Sequence, residues 1–201
     1  MDLKDRARYL KPSAVIDFDH PEVARKAREL AAGCTTDREI AERCFLFVRD
    51  DILHSWDHRM NPVSLTASDV LRHGTGFCYA KSHLLAALLR ANGIPAGLCY
   101  QRLVSGEFGQ LFFLHGLNAV WLEEYGWYRA DARGIKPGHD AAFTPPVEAL
   151  PYGARAPGEA ELPKIWDEPL PAIIAALTNY RDIEDVRRHL PDVEVAECGD
   201  R

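Results

Sequence analysis

The apolar positions of this chain change their period once. Upstream they recur every three or four residues. Val23, Ala27, Leu30 and Ala31 form one stripe behind Asp19-His20-Pro21-Glu22, which supplies a cap, a proline for the first turn and an early acid, and Gly33 closes the segment. Thr36-Asp37-Arg38-Glu39 then fits a capping box, and Ile40, Cys44, Phe47 and Val48 carry a second apolar face as far as about Ile52. After a loop from His54 to Pro62, a short helix is expected around Ser68 to Arg72. Gly74-Thr75-Gly76 leads into a third long helix that starts at Cys78 and runs to Asn92-Gly93. Gly93 suits the left-handed position past a helix end, and Pro95 prevents continuation.

From Ala96 the texture is that of strands. Ala96 to Val104, Leu111 to Leu122 and Gly126 to Asp131 are rich in aromatic and branched residues, and turn-prone Ser105-Gly106 and Glu123 to Gly126 separate them. From His139 onward prolines crowd in, seven of them between Pro145 and Pro171, which predicts irregular chain laid over the surface. Pro171 to Tyr180 and Asp182 to Leu190 read as two last short helices. A helical half followed by an antiparallel sheet is an α+β arrangement. At 201 residues, 47% hydrophobic and 27% charged, the chain is expected to form one domain with a substantial core.

A net charge of -6 disfavours nucleic acid and anionic membrane as partners, since either needs a basic patch. No window approaches the roughly 18 apolar residues of a membrane span, and the first residues hold no apolar signal core, so the expected location is the cytoplasm. Five cysteines, Cys34, Cys44, Cys78, Cys99 and Cys198, are an odd number at irregular spacings, which predicts reduced thiols rather than a disulfide frame or a zinc ribbon. Cys34, Cys44 and Cys99 read as small buried hydrophobes, and Cys198 as incidental in a polar tail.

Cys78 differs from the others in position. It stands where a glycine-containing loop turns into an apolar helix, and the first N–H groups of a helix carry partial positive charge that stabilises an anion such as a thiolate. A thiol nucleophile needs a base and a group that orients the base. His115 and Asp131 are polar residues set in otherwise apolar strands. A connection centred on Glu123 would set them directly opposite one another, whereas one centred on Tyr125 would offset them. The Cys78 backbone N–H is the natural first donor to an oxyanion. His54 and His58 are spaced for a metal pair on a helix, but Asn61-Pro62 and Trp56 favour a loop, so no metal is expected. His83 falls more than a turn from Cys78 and reads as structural or as a groove wall, and Leu84, Leu85, Leu88 and Leu89 read as core.

Gly76-Phe77-Cys78 opening a helix, the stretch from Leu84 through Arg90-Ala91-Asn92-Gly93-Ile94-Pro95-Ala96, His115 on a strand and Trp127-Tyr128-Arg129-Ala130-Asp131 together resemble the transglutaminase-like superfamily, over roughly Asp37 to Gly134. The resemblance implies a papain-like α+β fold, with the helix that bears the nucleophile packed on an antiparallel sheet. It also implies Cys78 as nucleophile, His115 as general base and acid, Asp131 as the residue that orients His115, and no cofactor. An upstream aromatic or polar side chain often completes the oxyanion site in that family, which makes Trp56 the candidate here. The implied reaction is attack on an amide of a peptide or protein-like substrate through a thioester, ending in hydrolysis or amine transfer. Two departures are visible. Many members carry a tryptophan almost directly after the histidine, whereas Trp121 comes here only after Gly116 to Val120. The barrel domains and acidic calcium sites of animal transglutaminases have no counterpart, so calcium-activated crosslinking is not implied. An arylamine N-acetyltransferase-like acyl transferase and a non-catalytic peptide-binding domain are the rival readings.

Overall fold

Side-chain caps start two of the three longer helices where the sequence places them. The computed structural model of the chain describes residues 3–105, 111–134 and 141–193. A short helix α1 (Leu3–Ala7) and a 3-10 turn (Arg8–Leu10) precede α2 (Pro21–Ala31), whose first turn is capped by the His20 ring, which accepts from the Glu22 N–H. α3 (Asp37–Asp50) opens with the full Thr36/Glu39 capping box. β1 (Leu53–His54), α4 (Ala67–His73) and β2 (Thr75–Gly76) lead to α5 (Cys78–Ala91). β3 (Ala96–Ser105), β4 (Leu111–Leu122), β5 (Gly126–Ala130) and β6 (Ala160–Glu161) make one sheet in the order β5-β4-β3-β6, and α6 (Pro171–Thr178) and α7 (Ile183–Arg188) follow. Gly106, His139 and Cys198 lie outside the described residues.

Three features differ from the sequence expectation. Thr75–Gly76 and the start of the expected 54–62 loop form a two-residue parallel pair, with Leu53 opposite Thr75 and His54 opposite Gly76. No hydrophobic alternation announces strands so short. The proline-rich segment is more than a wrap, because Ala160 and Glu161 pair with Arg102 and Gln101 and add an edge strand. The β4–β5 ladder pairs Asn118 with Ala130 and Leu122 with Gly126, so it centres on Glu124, between the two alternatives the sequence leaves open.

Every residue of α5 from Cys78 to Arg90 is buried. A helix enclosed on all sides is the centre of a core. Here α2, α3 and α4 pack on it from one direction and β3 and β4 from another. Leu84, Leu85, Leu88 and Leu89 retain no exposed surface, and such burial stabilises by roughly 1.5–3 kcal/mol per side chain. At the far end the buried Arg90 donates to three backbone carbonyls, those of Ala96 (2.9 Å), Lys11 (2.8 Å) and Asp167 (2.7 Å). It thereby ties the N-terminal segment, the first residue of β3 and the C-terminal segment to one point. Burial, partly offset by the charges of Glu168 and Asp167, lowers its pKa to about 10, so it remains a cation at neutral pH. At the near end of α5, β4 approaches so closely that a Cβ on Gly116 would lie 2.8 Å from the Tyr79 ring. The Tyr79 hydroxyl donates to the Leu114 carbonyl. Glycine beside His115 is what lets the first turn of α5 sit against the strand that carries the imidazole.

Candidate active site

Cys78 is the first residue of α5, and the extended β2 delivers the chain straight into it. The first intrahelical bond runs from the Lys81 N–H to the Phe77 carbonyl at 2.9 Å. The N–H groups of Cys78, Tyr79 and Ala80 therefore have no acceptor within the helix and form its positive end. Cys78 is only 3% exposed. It nevertheless borders a cavity of about 420 Å³, whose wall also includes His115, Phe77, His54, Trp56 and Tyr152.

His115 lies within β4, and its Nε2 is 2.6 Å from Asp131 Oδ2, with both side chains almost completely buried. Asp131 follows directly on β5. Extending the ladder by one residue would set it opposite Leu117, two positions along from His115 and on the same face, so the contact is a diagonal one across the strands. The other carboxylate oxygen accepts the Arg133 N–H at 2.8 Å, which holds Asp131 in place. With Nε2 engaged, Nδ1 is the nitrogen left for the thiol. Burial alone would depress the imidazole pKa. The charge and hydrogen bond of Asp131, with a smaller contribution from Cys78, outweigh it and raise the pKa to about 10. The ring is thus an imidazolium at neutral pH, flanked by a carboxylate and a sulfur.

The surrounding residues lock this geometry. Arg133 pairs with Asp57, at 2.8 Å from Nη1 to Oδ2 and 3.0 Å from Nη2 to Oδ1. The Tyr152 ring meets the His115 ring edge-on, with centroids 5.0 Å apart. Tyr152 is itself positioned by its carbonyl, which accepts from Gln101 Nε2 at 3.0 Å. Lys81, one turn along from Cys78, is buried with its ammonium donating to the Ile52 carbonyl. Burial brings its pKa down to about 7 against the opposing pull of Asp131. Trp56 borders the cavity, with the guanidinium groups of Arg59 and Arg187 packed on its ring at 4.0 and 4.4 Å.

The other candidates fall elsewhere. His83 is buried against the helical layer, where its Nδ1 meets the Leu65 carbonyl at 2.8 Å. Cys44 and Cys99 are buried, and burial pushes both thiols up to about 12, the behaviour of inert small hydrophobes. Cys34 is half-buried over the Leu30 carbonyl at 3.7 Å. Among the described residues no cluster of three or more His, Cys, Asp and Glu could hold a metal ion. Sequence reasoning missed Tyr152 and Arg133, and weighed His54 only as a metal ligand, not as part of the cavity wall. Tyr152 lies in the proline-rich segment, where nothing local marks it as a neighbour of His115, and Arg133 reads as an ordinary turn residue.

The sequence profile of the transglutaminase-like superfamily matches residues 24–132, from α2 to just past Asp131. The chain belongs to the transglutaminase-like superfamily. No curated protein matches it. Among solved structures, this transglutaminase-like chain is similar to a candidate cysteine protease from Cytophaga hutchinsonii, with 19% identity, a TM-score of 0.53, and coverage of 66% of this chain and 43% of that one. It is also similar to the periplasmic domain of TgpA from Pseudomonas aeruginosa, with 22% identity, a TM-score of 0.50, and coverage of 66% and 48%. The match spans less than half of each of those chains, and at such identities it establishes the shared α+β fold. Among the described residues no helix is long and apolar enough to cross a membrane. The family match ends before Tyr152, Arg155, Glu159, Arg187 and Leu190, so part of the cavity wall comes from outside the shared core.

Proposed function

We propose that this protein is a thiol enzyme of acyl transfer, with Cys78 as nucleophile, His115 as general base and acid, and Asp131 as the residue that fixes the imidazole. The observation that carries this reading is the buried 2.6 Å contact between His115 and Asp131 on the wall of the cavity that Cys78 borders from a helix N-terminus. His115, as the imidazolium, holds the proton that Cys78 has given up, and the thiolate attacks the carbonyl carbon of an amide. The electron pair moved onto oxygen is met by the Cys78 N–H. Collapse expels the amine, which leaves with the proton held by His115, and a thioester remains on sulfur. Water then releases an acid, in an amidase or protease, or an amine accepts the acyl group, as in a transglutaminase. The cavity, about 420 Å³ and lined by Leu103, Phe113 and Tyr152 beside the polar groups, suits a side chain and flanking backbone of a peptide or protein-like substrate.

Alkylation with an iodoacetamide probe tests the nucleophile. One cysteine should label fast in the parent and none in Cys78→Ala; equal labelling of both would refute the assignment. Incubating the parent with an acyl-donor library, with and without an added primary amine, then separates hydrolysed from amine-transferred product.

A further inference from the structure

An attacked carbonyl needs more than one donor, and the Cys78 N–H supplies one. A second polar group borders the same cavity with nothing assigned to it. His54 is 5% exposed and held by the β1–β2 pairing opposite Gly76, two residues before Cys78. Its ring lies against that of Phe77, the neighbour of Cys78, with centroids 5.1 Å apart. Both ring nitrogens are buried and make no hydrogen bond among the described residues. A buried unsatisfied polar atom costs about 1–3 kcal/mol, so two on one ring beside a reactive thiol call for an occupant. Asp57 Oδ2 approaches Nδ1 to 3.3 Å without hydrogen-bond alignment, and the Asp57 carboxylate is already engaged by Arg133.

Burial, reinforced by the cations Arg133, Lys81 and His115 and by His58, holds the His54 pKa well below the ordinary imidazole value. The ring is therefore neutral at neutral pH and carries one N–H. A neutral imidazole can polarise a carbonyl by hydrogen bonding, and here it would do so without adding a further cation beside His115 and Arg133. Trp56 borders the same cavity, but its ring packs with Arg59 and Arg187, whereas His54 touches the residue adjoining Cys78.

We infer that His54 is the second donor to the carbonyl oxygen of the acyl substrate, its ring N–H meeting the oxyanion that forms when Cys78 attacks. As the sulfur–carbon bond forms, the carbonyl π pair moves onto oxygen and is held by the Cys78 N–H and the His54 N–H, and His54 keeps its proton throughout. The pair returns to the carbonyl as the bond to the leaving group breaks; a leaving amine takes its proton from His115. The assignment rests on the acyl-transfer reading of Cys78.

Two reactions of the same sulfur test it. Acylation by p-nitrophenyl acetate, followed by release of p-nitrophenolate, passes through an oxyanion; alkylation by iodoacetamide displaces iodide at a saturated carbon and does not. His54→Leu should slow acylation by about 10²–10³-fold while alkylation stays within about twofold of the parent, which also reports an intact site. His54→Gln, whose side-chain amide can donate, should recover at least about tenfold of that loss. Unchanged acylation in His54→Leu overturns the inference. So does a parallel fall in alkylation, which would place His54 on the thiolate, or a Gln variant no better than Leu. A loss found in Trp56→Phe instead would move the donor role there. Acylation that survives in Cys78→Ala would overturn the acyl-transfer reading itself, an outcome distinct from all of these.

Discussion

Two histidines are buried to the same degree around α5 and end on opposite sides of neutrality. His83, on the helix itself, is 1% exposed and meets the neutral Leu65 carbonyl; burial wins, and its pKa falls to about 4. His115, on β4, is 3% exposed and meets the Asp131 carboxylate; the charge wins over burial, and its pKa rises to about 10. Burial alone thus yields an inert ring, and an anionic partner is what turns a buried ring into a proton carrier. The cysteines make the same point. Cys44 and Cys99 are enclosed within α3 and β3, while Cys78 stands at a helix start beside an imidazolium.

The contrast breaks most decisively at the sulfur. Cys78→Ser should cut p-nitrophenyl acetate turnover by at least about 10⁴-fold, and mass spectrometry of the parent should find fast alkylation at Cys78 but not at Cys44 or Cys99. Equal reactivity of the three would mean that position does not separate them. His115→Gln should lower single-turnover acylation by about 10³-fold, since the ring that holds the thiol's proton and stands as a cation beside the sulfur is lost.

Asp131→Asn sharpens the comparison by making the surroundings of His115 resemble those of His83. We expect a loss of about 10²-fold on an amide substrate. In the parent, a basic limb in kcat/KM near pH 10 reports the proton His115 must deliver to the leaving amine, and in the variant that limb should move toward lower pH. Stability follows the same sign. The His115 pKa is raised by folding, so its contribution is complete below the unfolded value of about 6.5 and is lost as pH rises through about 10. Denaturant melts should therefore show Asp131→Asn less stable by up to about 3 kcal/mol at pH 6, with the gap closing above pH 10. A gap that does not change with pH would show that the pair is not an ion pair.

The smallest effect is expected at His83→Leu, with acylation within about twofold of the parent and stability lower by about 1–3 kcal/mol, because the Leu65 carbonyl loses its partner. The His83 pKa is depressed by folding. Its favourable contribution is present above about 6.5 and disappears as pH falls through about 4, so the stability gap between variant and parent should narrow over that window.

The cavity divides along a similar line. Cys78, His115 and Arg133 belong to the shared core or border it, whereas Tyr152, Arg155 and Arg187 come from residues beyond the family match. Cys78, His115 and Asp131 thus fall within the stretch matched by the family, and part of the cavity wall falls beyond it.

Sequence alone determined the elements whose stabilising contacts are local. The Thr36/Glu39 box starts α3 and the left-handed Gly93 stands just past α5, because caps and positive φ act within a few residues. The strand textures likewise placed His115 and Asp131 on adjoining segments. Only the tertiary structure decided how those segments meet: a ladder centred on Glu124, a diagonal contact from Asp131 to His115, and Gly116 opening the space for Tyr79. It also paired β1 with β2 to bring His54 beside Phe77, and carried Tyr152 back over His115. Such contacts join residues far apart along the chain and are selected by packing across the whole core, which no local period records.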